Sequence, residues 1–139
     1  MEYEQDQKKN LPFKRTKKAS DSSFNPFDVG KLPPQAPDLE EAVLGALMLE
    51  KNALAAIVDL LKPESFYVDA HSRIYNAIIT LWKDRQAIDI LTVTNQLKNS
   101  GELEIIGGAY YISKLTNRVA SSANIEFHAR IVLQKYIQR

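Results

Sequence analysis

The chain has 139 residues, 45% of them hydrophobic and 25% charged, with 18 lysines and arginines against 17 acids and no cysteine. That is enough length for one domain with its own core, and the composition is that of an ordinary soluble protein. The missing cysteines exclude disulfides, thiol nucleophiles and thiolate metal sites, and fit a reducing, cytoplasmic setting. The longest apolar run, Ala42 to Leu49, is far too short to cross a bilayer, so no membrane partner is expected.

Residues 1–36 read as a disordered tail, polar and carrying Pro12, Pro26, Pro33 and Pro34. Six bases, Lys8, Lys9, Lys14, Arg15, Lys17 and Lys18, fall in one block with no acid among them. They are candidate phosphate contacts, although such a run is more often a solvated tail. The rest of the chain is balanced in charge, which argues against a nucleic-acid surface on the folded part.

Residues 37–106 read as a helical head. Asp38 and Glu41 form a capping box at the first helix, whose core Ala42-Val-Leu-Gly-Ala-Leu-Met-Leu49 is apolar all round and so belongs at the buried centre. Gly45 inside it costs about 1 kcal/mol relative to alanine, which implies close approach of another backbone. A second helix covers Asn52 to Leu61 and stops before Pro63. Asp69 is read as the cap of a third helix to about Asp84, with Ile74, Ile78, Leu81 and Trp82 as its core stripe and Tyr75 beside it. Asp89 caps a fourth, from Ile90 to Asn99, with Leu91, Val93 and Leu97 inward, and Ser100-Gly101 ends it. Residues 102–106 read as a loop with a possible short turn.

Residues 107–139 read as an antiparallel helical hairpin: one helix from Gly108 to Val119, a turn at Ala120-Ser121-Ser122, and a second helix from Ala123 to the end. In the second helix Ile125, Ala129, Val132, Leu133, Tyr136 and Ile137 share one broad face, while Phe127 and Ile131 point the other way. In the first helix Tyr111, Ile112, Leu115 and Val119 share a face and Tyr110 lies opposite. A helix apolar on two sides is usually sandwiched, either by its own head or by a second copy of the molecule. Tyr110, Phe127 and Ile131 are therefore the candidate oligomer-interface residues. The fold class is all-α, a compact head followed by the hairpin.

Catalytic chemistry is not expected. There is no G-x-x-x-x-G-K-[ST] loop, so no nucleotide hydrolysis in this chain, and no cofactor or metal site is foreseen. Of the two histidines, His71 suits a capping or packing role and His128 a structural one. Glu40-Glu41 is explained by helix-start electrostatics. The residues alone point to a binding or assembly module, with a stand-alone nucleic-acid-binding module or a helical adaptor as the alternatives.

Five blocks taken together, Ala42–Leu49, Phe66-Tyr67-x-x-x-His71-x-x-Ile74-Tyr75, Ile88-Asp89-x-x-Thr92-Val93, Gly107-Gly108-x-Tyr110-Tyr111-Ile112-x-x-Leu115 and Asn124-Ile125-Glu126-x-x-Ala129-x-Ile131-Val132, resemble the N-terminal domain of the bacterial replicative DNA helicase, the DnaB family. The resemblance covers about residues 33–139. It implies a ring-shaped homohexamer that unwinds DNA, with ATP and Mg used by a RecA-like motor C-terminal to this domain and absent from this sequence, which then looks like a fragment. It also implies hairpins that pair between subunits into a trimer-of-dimers collar, docking of the primase C-terminal domain, and a possible helicase-loader partner. This fragment is not itself expected to be an enzyme.

Overall fold

Helix α1, Pro37–Leu49, is the element around which the others are arranged. The structure, a computed structural model, describes residues 32–117 and 124–139. Residues 34–139 form one compact unit. The Lys8–Lys18 block, most of the expected disordered tail, Val119 and the Ala120-Ser121-Ser122 turn lie outside the described residues.

After α1 come α2 (Ala53–Ile57), a 3-10 turn (Pro63–Ser65), α3 (Asp69–Lys83), α4 (Ile90–Asn99), α5 (Leu103–Ile106), α6 (Gly108–Asn117) and α7 (Ile125–Gln138). No strand occurs among the described residues, and the all-helical class holds. Val43 to Met48 are all buried, as an all-round apolar helix requires. Both hairpin helices, α6 and α7, pack chiefly on α1, and among the described residues they do so rather than on each other. The hairpin is therefore not a free arm: the inner face of each helix is spent on a shared support.

Two helix starts differ from the sequence reading. The Asp38–Glu41 capping box does not form. Ala36 is the N-cap and Pro37 the first helical residue, so one orphan donor is absent and the Ala36 carbonyl takes the N–H groups of Leu39 and Glu40 at 3.1 and 3.0 Å. Asp69 is likewise inside α3, with Val68 at the N-cap, and its carboxylate accepts instead from Arg73 Nε at 2.7 Å. At α4 the expectation is met. Asp89 accepts from the Thr92 N–H at 2.9 Å while the Thr92 hydroxyl accepts from the Asp89 N–H at 2.9 Å. At its far end Gly101, at φ +78°, closes a Schellman motif, with the Glu102 N–H reaching the Leu97 carbonyl at 2.8 Å.

Core membership follows the periodicity with two corrections. Ile74, Ile78 and Leu81 are buried, but Trp82 is 42% exposed, and in α4 Val93 and Leu97 are buried while Leu91 is 77% exposed. Trp82 directly follows buried Leu81, a step of about 100°, and Leu91 lies two residues, about 200°, before buried Val93, so both fall off a narrow stripe. The second helix is shorter than expected, and the 102–106 segment forms the single-turn helix α5. Tyr75 is fully buried, with its hydroxyl donating to the Leu61 carbonyl at 2.9 Å.

Burial pushes the Tyr75 phenol above its usual value. Below about pH 10 the group is neutral in both the folded and the unfolded chain, and its contribution is intact. As pH rises past that point the unfolded chain releases the proton first, so stability falls. Urea melts between pH 9 and 11 are expected to show this alkaline loss, and Tyr75→Phe, weaker by about 1 kcal/mol at neutral pH for the missing hydrogen bond, is expected to show a shallower one.

Candidate functional site

The outer face of the hairpin is positioned by a buried polar chain that starts in α1. Glu40 is 1% exposed. Its carboxylate accepts the backbone N–H groups of Tyr67 at 2.7 Å and Val68 at 3.3 Å, and it faces His71 Nδ1 at 2.8 Å. The cap for the start of α3 is thus supplied by α1, from 27 and 28 residues away in sequence. The other imidazole nitrogen, Nε2, lies 2.6 Å from the hydroxyl of Tyr111 on α6, the two rings nearly parallel.

Glu40, which already accepts two backbone N–H groups, takes the Nδ1 proton of His71, and Nε2 shares a hydrogen bond with the Tyr111 hydroxyl. The alternative acceptor for that phenol, Glu41 Oε2, is at 3.5 Å and makes the weaker contact. Glu40, His71 and Tyr111 therefore clamp α6 to the head. His71 has the structural role read from the sequence. Glu40 is more than helix-start electrostatics.

The entry into α6 is set by backbone. Gly107 and Gly108 hold φ of +112° and +77° in succession. At Gly107 a Cβ would stand 3.1 Å from the Tyr111 Cβ, so a side chain there would press on the residue that carries the clamp.

With Ile112 and Leu115 turned inward and fully buried, Tyr110 is left 79% exposed. On α7 Ile125, Ala129 and Val132 are buried and Phe127 is 64% exposed. Of the three candidate interface residues, Tyr110 and Phe127 are on the surface and Ile131 is half-buried. Ile137, read as inward-facing, is also exposed. It lies roughly 120° around α7 from Ile125, beyond a buried stripe only about 60° wide. Tyr136 is on the line of that stripe, but only partly covered, because it occupies the last turn, where the Arg139 guanidinium stacks 5.6 Å from its ring. His128 is half-buried and its ring neighbour is Phe127.

Arg139 fastens the end of α7. Its guanidinium donates to the Pro34 carbonyl at 3.0 Å and the Ser65 carbonyl at 2.9 Å, and lies over the Tyr67 ring at 5.3 Å. Arg73 on α3 donates to Asp69 and to Glu102. Neither this set nor the Glu40 chain has a nucleophile open to solvent or a metal-binding cluster of acids and histidines among the described residues. The arrangement positions helices. It is built for contact.

Residues 32–134 match the family model of the DnaB-like helicase N terminal domain. The chain belongs to this family. Among curated proteins it is 48% identical over 110 residues to the replicative DNA helicase DnaB of Rhodothermus marinus, covering 79% of this chain and 12% of that protein. It is 42% identical over 109 residues to the replicative DNA helicase DnaC of Bacillus subtilis, covering 78% of this chain and 24% of that one. The chain thus spans between about an eighth and a quarter of these relatives' length.

Among solved structures, the N-terminal domain of DnaB helicase from Mycobacterium tuberculosis superposes with a TM-score of 0.76 at 38% identity, over 78% of this chain and 75% of that one. A DnaB-like replicative helicase described with its interactions with primase gives 0.63 at 27% identity, over 73% of this chain and 24% of that one.

Clamp and surface are separable by substitution. Tyr111→Phe is expected to cost about 1–2 kcal/mol in urea unfolding, since it leaves His71 Nε2 without its hydrogen-bond partner. Tyr110→Phe, next to it in sequence but on the surface, is expected to stay within about 0.5 kcal/mol of wild type.

Proposed function

We propose that this domain is the collar of a replicative helicase, in which the outer face of the hairpin joins one subunit to the next. The observation that carries the reading is that Tyr110 and Phe127 are 79% and 64% exposed while the opposite faces of the same helices are buried on α1. Large aromatic side chains left in water on otherwise well-packed helices are the composition of an interface core. Burying each removes on the order of 100 Å² from water, a few kcal/mol at roughly 25 cal/mol per Å². Association entropy then takes back much of that gain, so the domain alone pairs weakly and gains avidity when further contacts tie the subunits together.

On this reading the paired hairpins form a trimer-of-dimers collar that docks the C-terminal domain of primase, and a helicase loader is a further partner. The parent protein unwinds duplex DNA in the cytoplasm with ATP and Mg, through a motor domain and not through these residues. Support comes from the family membership and from the relative whose structure was described with primase.

The test is sedimentation equilibrium across a concentration series. The double variant Tyr110→Ala with Phe127→Ala is expected to shift the chain toward monomer by at least tenfold in dissociation constant, with its thermal unfolding unchanged because both side chains lie outside the core. An unchanged dimer fraction, or a wild type that stays monomeric at millimolar concentration, excludes pairing through this face.

A further inference from the structure

The outer face of α7 carries more than Phe127. Along it Phe127, Arg130, Gln134 and Ile137 recur at i, i+3, i+7 and i+10, the spacing of a coiled-coil seam. All four are exposed, Ile137 at 73%, while Ile125, Ala129 and Val132 on the opposite side are buried. The seam is apolar at its two ends and polar between them. Its charge is not bare, because Arg130 Nη2 donates to Glu126 Oε2 on the same helix at 2.8 Å. Lys135 is half-buried and lies off the seam, about 140° around the helix from Arg130.

The ends of this seam fall at opposite ends of the hairpin. Arg139, which closes α7, bonds to Pro34 just before α1. The Glu40–His71–Tyr111 chain holds the start of α6 near the start of α1 as well. Tyr110 and Ile137 therefore mark one end of the hairpin and Phe127 the other. A surface that is apolar at both ends meets itself best across a two-fold axis, which lays each end on the opposite end of a second copy.

We propose the register of that contact, resting on the reading that the outer face of the hairpin joins two copies: α7 lies antiparallel to α7 of the second copy, about an axis level with Val132. Phe127 then packs against Ile137 of the second copy, and Arg130 donates to the side-chain carbonyl of the second copy's Gln134. Tyr110 is carried toward the Phe127 end of the other hairpin. Ile137 is thereby an interface residue in its own right.

The competing arrangements match poorer chemistry. Sliding one copy by seven residues, the next position that keeps the two seams together, sets Phe127 against Arg130 or Gln134 against Ile137. A parallel pair sets Arg130 against Arg130, like charge on like. The antiparallel register about Val132 instead lays apolar on apolar and a guanidinium on an uncharged amide.

The chain has no cysteine, so a disulfide can form only between introduced thiols. Phe127→Cys and Ile137→Cys are made as separate variants, mixed at high concentration and oxidised. The mixture is expected to give covalent dimer joining one variant to the other at least tenfold faster than either variant alone. In the proposed register ten residues of helix rise, about 15 Å, separate each residue from its own counterpart, too far for a disulfide. In the otherwise unchanged chain, Ile137→Glu is expected to raise the dissociation constant at least tenfold in sedimentation equilibrium. Its melting temperature stays that of the wild type, since Ile137 lies outside the core. Faster cross-linking of Phe127→Cys with itself, equal rates in all three samples, or an Ile137→Glu variant that pairs as the wild type overturns the register. Pairing through this face survives any of those results if Tyr110→Ala with Phe127→Ala still separates the copies. A monomeric wild type overturns both.

Discussion

A single buried carboxylate ties together pieces of chain that have no other reason to meet. Removing the charge of Glu40 from water costs several kcal/mol, which is offset only if the oxygens are well occupied. They are, by two backbone N–H groups and one imidazole N–H. Hydrogen bonds to a charged acceptor contribute roughly 1.5–3 kcal/mol each, so the two terms are comparable and the contact is worth little as raw stability. Its value is geometric. Only one placement of α1, the 66–68 link and the first turn of α3 satisfies all three bonds, and the imidazole passes that placement on to α6 through Tyr111.

This division of labour explains why the outer surface can be apolar at all. Each hairpin helix has an inner stripe that closes on α1, and that burial secures it without help from the opposite side. The outward residues are then free of any duty to the monomer's own core. Were the same side chains holding both core and contact, every change at the surface would also be a change in stability.

The sequence made some of this legible and hid the rest for definable reasons. Regular apolar spacing gave the helices, the all-α class and the inward faces of α1, α3 and α6, because a buried stripe leaves a direct mark at a period near 3.6. The Asp89–Thr92 cap was visible since both partners are three residues apart. Asp38 and Asp69 have the residue type that caps helices, yet a proline in one case and a carboxylate from a different helix in the other took over the work. The Glu40–His71–Tyr111 chain left no local trace, its members lying 31 and 40 residues apart, and only the fold brings them into line. Leu91, Trp82 and Ile137 were read as inward because periodicity records that a residue is apolar, not how wide the covering surface is. The five blocks that pointed to the DnaB family did so as a set, including positions such as His71 whose role periodicity does not reveal.

The grip of Arg139 on the Pro34 and Ser65 carbonyls has a mechanical side. The segment at Pro34 leading into α1 and the residue following α7 are stitched at one spot, so tension applied between these two points is met first by one exposed and one half-buried hydrogen bond. A pull of that kind would peel the final turn of α7 as a zipper opens and leave α1, with the core around it, unstretched. The domain can thus yield at this edge without being unravelled.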